Sequence, residues 1–385
     1  MKTGKWNWFK YTNLSRAHWL YFFTSLGLIS GILLTLPQWS AVRTYPLVPV
    51  IPGFFLPTEL HTLLTIVCLL ALLGGLLLRQ YRPLLTSLAI ASLGILSLLD
   101  ITRFHPWILH YLAILLLFSG FSQSNNNQRT WLLDAARVVV GGIYFWSGIQ
   151  KLNSYFVSAV FPWFTQPIWE FAPELLLGAF VSFGLLVPLI EAGFAVGLFT
   201  KKFRTVSVLG STGMVLIVLF ALGPFGHNWN SSVWPWNIAL FCSVIVLFLK
   251  TDFTFLEFIK RIRTNTAALA MVAIFWLLPI GNMFGYVDGY VSWSLYSGHV
   301  PEATLTGDQL LLETLSPAAQ DGRLSYVSWT HTEMNQIPYP AERVFQSVFI
   351  SVCERFENDP SLRLEIITPE YFNTLNRPVS TYSCK

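Results

Sequence analysis

The feature that most constrains this chain is a succession of long apolar runs, the first at residues 19–36, separated by short polar connections. A bilayer offers the backbone no hydrogen-bond partners, so such runs fold as helices that satisfy their own N–H and C=O groups. A span needs about 20 mostly apolar residues. On that basis nine spans are expected, near 18–38, 58–78, 83–100, 106–121, 131–151, 174–199, 205–225, 234–249 and 266–286. Composition agrees: 54% of the residues are hydrophobic and 11% charged, against roughly 25% charged in soluble proteins. Fifteen tryptophans and fourteen tyrosines fit two membrane–water belts. The 19–36 run is too long for a signal-peptide core and reads as a retained first span.

Lysine and arginine in the connections set the orientation. Lys2, Lys5, Lys10, Arg16, Arg79, Arg82, Arg129, Lys201, Lys202, Arg204, Lys250, Lys260, Arg261 and Arg263 fall on one side, against Arg43, Arg103 and Lys151 on the other. The N-terminus is therefore expected inside and the C-terminus outside. The net charge of +4 is spread along the chain, with no basic run to attract nucleic acid.

The polar loop SQSNNNQR separates an N-terminal four-helix membrane region (1–130) from a four-helix core (131–262). A ninth transmembrane helix (263–286) and an extracytoplasmic domain (287–385) follow. In that domain YPAERVFQSVFISVCERF reads as an amphipathic helix opened by Pro340, and LRLEIITP as a strand. The expected fold is an all-α polytopic membrane protein with a small α+β C-terminal domain. Cys353 and Cys384 lie outside, where an oxidising compartment permits a disulfide, or else two free thiols. There is no CxxC, and the histidines show no ligand spacing, so no metal is expected.

Charged residues within spans are costly and mark function or a partner. Arg137 lies roughly 9 Å from the inner start of span five and Glu191 roughly 12 Å from the inner end of span six. As antiparallel neighbours, Arg137 and Glu191 are expected to form an ion pair, either as a structural clamp or as a relay. Pro188 kinks the helix beside Glu191.

A second polar cluster lies at the outer end of span five. Tyr144, Ser147, Gly148 and Lys151 share a helix face, and GPFGHNWNSSVWPWN offers His227, Asn230 and Asn237 at the same level. Gly141, Gly142 and Gly148 permit close approach of a helix or a flat ligand. A lysine against apolar walls loses solvation, which favours its neutral, basic form. In the plainer reading Lys151 snorkels to the headgroups and His227 caps a helix.

The ordered set of Arg137, GGIYFWSGIQKLN and EAGFAVGLFTKKFR resembles the DoxX-like and HTTM membrane families over residues 131–249. More distantly, YFWSGIQKLNSYF is similar to the corresponding segment of the vitamin K-dependent gamma-glutamyl carboxylases. The resemblance implies a plasma membrane of bacterial type and a quinone as cofactor. Lys151 would then be the base that deprotonates the reduced quinone. His227 and Asn230 would stabilise developing negative charge, with Tyr144, Ser147, Gly148 and Asn237 around the ligand. SYFVSAVFPWFTQPIW would cover the ring as an interfacial segment. The 287–385 tail is much shorter than the lumenal portion of the carboxylases, so a protein substrate is not implied. The competing expectation is a non-catalytic scaffold or lipid-binding protein whose outer domain docks a protein partner.

Overall fold

The computed structural model describes residues 12–120, 125–169 and 183–384. Its helices in chain order are α1 (Asn13–Leu34), α2 (Thr58–Leu77), α3 (Arg79–Leu99), α4 (Pro106–Gly120), α5 (Asn126–Ile149) and α6 (Phe161–Trp169). There follow α7 (Leu186–Leu198), α8 (Arg204–Leu222), α9 (Val233–Phe248), α10 (Phe255–Ile262) and α11 (Thr266–Phe284). Among the described residues six of these, α1, α2, α3, α5, α8 and α11, are long and apolar enough to cross a membrane. The shorter apolar helices α4, α7 and α9 coincide with the other three expected runs. The first part of the run at 174–199 lies outside the described residues, as do Lys2, Lys5, Lys10 and the start of the 122–129 loop.

α5 is the most deeply buried of the six and organises the rest. Its glycines each admit a different neighbour. A Cβ at Gly142 would sit 2.5 Å from the Phe275 carbonyl oxygen of α11, one at Gly141 2.5 Å from the Phe199 ring, and one at Gly148 2.6 Å from the Pro188 carbonyl oxygen. No side chain fits in those gaps, so at Gly142 and Gly148 backbone meets backbone, as small residues allow in membrane bundles, and at Gly141 an aromatic ring fills the notch. One hydrophobic core has members as far apart as Ala17 and Trp293, so the divisions at 130 and 262 mark segments of a single helical body.

The C-terminal domain has its own core. Four antiparallel strands, β1 (Glu302–Thr306), β2 (Arg323–Ser325), β3 (Arg363–Ile367) and β4 (Val379–Ser383), stand in the order β2-β1-β3-β4. Alternation turns Ala303 and Leu305 of β1, and Leu364 and Ile366 of β3, inward. Helices α12 (Gln309–Leu315), α13 (Tyr326–Met334) and α14 (Glu342–Arg355) complete the domain. The expected helix and strand are α14 and β3. Cys353 and Cys384 are joined in a disulfide. One feature the sequence reading missed is that Tyr45 and Val48, from the α1–α2 connection, belong to this second core. Glu333 holds that connection by accepting from the Thr44 hydroxyl (2.8 Å) and the Tyr45 N–H (2.9 Å).

Candidate functional site

α5 ends at Ile149, and the residues after it divide their side chains between two tasks. Gln150 turns to the C-terminal domain. Its Nε2 donates to the Ser292 carbonyl (3.2 Å), and its Oε1 accepts from the Tyr371 hydroxyl (2.8 Å). Asn153 does likewise, donating to the Ser297 carbonyl (2.7 Å) and accepting from the Phe156 N–H (2.8 Å) and the Thr374 hydroxyl (3.2 Å). Lys151 turns the other way. Its Nζ donates to Ser147 Oγ one turn back (2.8 Å) and to Glu191 Oε2 on α7 (2.7 Å).

The expected pairing of Arg137 with Glu191 is therefore wrong, and helix register explains why. α5 begins at Asn126, not near 131, so it reaches further from the Lys151 end than expected. α7 stops at Leu198, with Gly148 against Pro188 and Ala192 and Gly141 against Phe199. Glu191 thus lies level with Ser147, and Arg137 is about 15 Å away along α5 at 1.5 Å per residue. Arg137 instead donates to Asp134 (2.6 Å) and to the Leu247 carbonyl at the end of α9 (2.9 Å). Asp134 also accepts from Arg261 (2.6 Å), and Phe253 lies under Arg204, Arg137 and Arg261. This cluster caps helix ends and is structural. The kink expected at Pro188 does not follow: it stands in the first turn of α7, where its missing N–H interrupts no helix hydrogen bond. The backbone turns at Gly184 and Leu185, just before α7 begins at Leu186.

Lys151 and Glu191 face a cavity of about 500 Å³ between α5, α7, α8 and α9. Among its described lining residues they are the charged ones. Tyr144, Ser147 and Asn237, all expected at the site, line it too. The Asn237 amide N–H donates to the Val233 carbonyl (2.7 Å). The Tyr144 hydroxyl is buried and has no hydrogen-bond partner among the described residues. The expected cover segment also holds its place: Asn153 starts a π turn at Phe156, and Phe156, Phe161, Phe164, Thr165 and Ile168 form one wall.

Three expected site residues lie elsewhere. Gly148 faces α7, not the cavity. His227 Nε2 lies 2.7 Å from the Trp163 carbonyl oxygen, and its imidazole stacks on the Trp163 ring at 4.5 Å, so it braces the cover segment. Asn230 donates to the Tyr296 hydroxyl (3.0 Å) and accepts from Ser232 (2.9 Å), behind the cavity wall. Asn228 and Asn230 both take left-handed conformations, each with φ 48°. Asparagine adopts that region readily, and the double reversal turns the segment away from the cavity.

Sequence reasoning missed Trp236, Trp293 and Tyr296, which line the cavity. Trp293 and Tyr296 have φ of 65° and 55°, a conformation costly for bulky residues and found at constrained sites. Their signal in the sequence was the aromatic run GYVDGYVSWSLYSGH. Beside this loop His299 Nε2 lies 3.2 Å from both Ser294 Oγ and Asn282 Oδ1. Burial drives its imidazole down to about 4, against a hydrogen bond with the Gln150 backbone that works upward.

Comparison with known proteins returns no match: no family model fits the chain, and no curated protein or solved structure is similar to it.

Proposed function

We propose that this is a membrane protein of DoxX/HTTM-like type that binds a quinone, or a lipophilic molecule of similar shape, beside the Lys151–Glu191 pair. Nine spans, with the N-terminus inside and the C-terminal domain outside, put the cavity near the outer face. The observation that carries the reading is an apolar cavity of about 500 Å³ whose charged lining residues, among those described, are one ion pair at 2.7 Å. Ligand pockets run to about 300–1,000 Å³, mostly apolar with a few convergent polar groups.

The pair supplies a proton-transfer device. When a ligand hydroxyl gives up its proton, the O–H bond breaks and a new O–H forms on the Glu191 carboxylate. The oxygen anion left behind faces the Lys151 ammonium. For Lys151 itself to act as the base, its own proton must first pass to Glu191. Either route uses both residues, and the aromatic cover keeps water from competing.

The test is gentle purification from membranes and mass spectrometry of extracted lipid from wild type, Lys151→Ala and Glu191→Gln. A quinone recovered near one per wild-type chain, and depleted in both variants, is the expected result. Ordinary phospholipid alone in the wild type, with no change in tryptophan fluorescence on adding a quinone, overturns the reading and favours the scaffold.

A further inference from the structure

α7 and α8 form an antiparallel hairpin whose seam changes along its length. Near the connecting loop it is closed: Gly197 lies tight against Ser207, and Gly210 against the Phe194 ring. By helical spacing Gly210, Gly213, Met214 and Ile217 share a face of α8, and Gly197, Phe194, Ile190 and Val187 share a face of α7. Beyond Phe194 the same two faces part. A Cβ at Gly213 meets nothing within 4 Å, and Ile190, Val187, Met214 and Ile217 all line the cavity. Ile190 and Ile217 are also 38% and 49% exposed on the surface of the molecule. Residues that are both wall and surface mark a mouth, and this one opens sideways, flanked by the exposed, apolar Leu189 and Leu216.

The wall formed by α5 has the opposite character. It carries the Tyr144 hydroxyl, a buried donor with no partner among the described residues, one turn from Ser147 and its neighbour Lys151. A buried, unpaired hydroxyl is costly unless something satisfies it. Taking the cavity as a ligand site, we infer that its occupant is an amphiphile drawn directly from the bilayer. Its head presents an oxygen acceptor to Tyr144, and its hydrocarbon chain leaves between α7 and α8 past Ile190 and Ile217.

The full-length protein would be reconstituted in phosphatidylcholine nanodiscs and photolabelled with a palmitic acid carrying a diazirine in its chain. Crosslinks are then mapped by peptide mass spectrometry. Ile143, Val233 and Leu240 line the cavity and are at most 5% exposed, so label on them reports entry. Interior label is expected in wild type, at least five-fold less in Ile217→Trp and Ile190→Trp, and unchanged in Leu216→Trp. Tyr144→Phe should lower interior label several-fold at subsaturating probe. Label confined to Leu189, Leu216 and Phe220, with the Ile217→Trp pattern identical to wild type, overturns the lateral route even where a quinone is extracted. Interior label that persists where no quinone is extracted keeps the route and rejects the quinone head. Full interior label in Tyr144→Phe removes the hydroxyl from the recognition scheme.

Discussion

Breaking the Lys151–Glu191 pair separates its structural role from its chemical one. The two side chains are 16% and 9% exposed and 2.7 Å apart. Their gross attraction is roughly 6 kcal/mol at an effective dielectric of 20, largely offset by the cost of taking both out of water. Removing one partner leaves the other charged and unpaired, which costs about 3–5 kcal/mol. Replacing both with apolar residues of similar volume is close to neutral. Lys151→Met and Glu191→Leu alone should each lower the thermal unfolding midpoint in detergent by several degrees, and the double variant should recover most of the loss. Intrinsic tryptophan fluorescence during heating measures all four proteins. The double variant should nevertheless retain no quinone, since the polar pole of the cavity is gone. Two single variants as stable as wild type would show that the pair is open to water and would refute the burial argument. A double variant as unstable as the two losses added together would show that the residues act independently.

Other consequences follow from the same contacts. Gln150→Ala leaves the Ser292 carbonyl and the Tyr371 hydroxyl without a shared partner, at about 1–3 kcal/mol. The 287–384 region should then be cut faster by limited proteolysis, whereas Gln128→Ala, far from this junction, should not change the rate. His299 is held at about 4 in the folded chain against 6.5 unfolded, so the unfolded state binds the extra proton. Its contribution is therefore complete above pH 6.5 and lost as pH falls to about 4, a total of about 3 kcal/mol at 1.36 kcal/mol per unit. His299→Gln should flatten that part of a stability-against-pH curve. Gly142→Leu drives a side chain into the Phe275 backbone and should abolish recovery of folded protein in detergent, while Gly94→Leu, with open space around it, should be tolerated.

Helix existence was legible because it depends on the local hydropathy of each run, and among the described residues each run overlaps an apolar helix, six of them long enough to cross a membrane. The face of α5 was legible too. Tyr144, Ser147 and Lys151 recur at helical spacing, and helical spacing is a property of one segment. Register between helices is not. Placing Glu191 against Lys151 required knowing that α5 starts at Asn126 and that Phe199 stops against Gly141, and both depend on tertiary packing. The error for His227 and Asn230 has a different origin. Left-handed Asn228 and Asn230, on either side of Trp229, decide which way the loop side chains point, and sequence shows only that asparagine permits it.

The amides that flank Lys151 give the helix end its meaning. A lysine that merely anchors a helix needs water beyond it, yet Gln150 and Asn153 fasten the next layer of protein over this one. Asn153 accepts from Phe156, the first residue of the π turn that leads into the cavity's cover, and from Thr374 of the C-terminal domain. Arg377 lies on the Tyr155 ring at 3.9 Å and pairs with Glu302 at the head of β1. Domain, cover and ion pair thus meet within four residues of one helix terminus. With polar neighbours fastened above and an apolar cavity below, Lys151 has one direction left for its charge, and Glu191 lies in it.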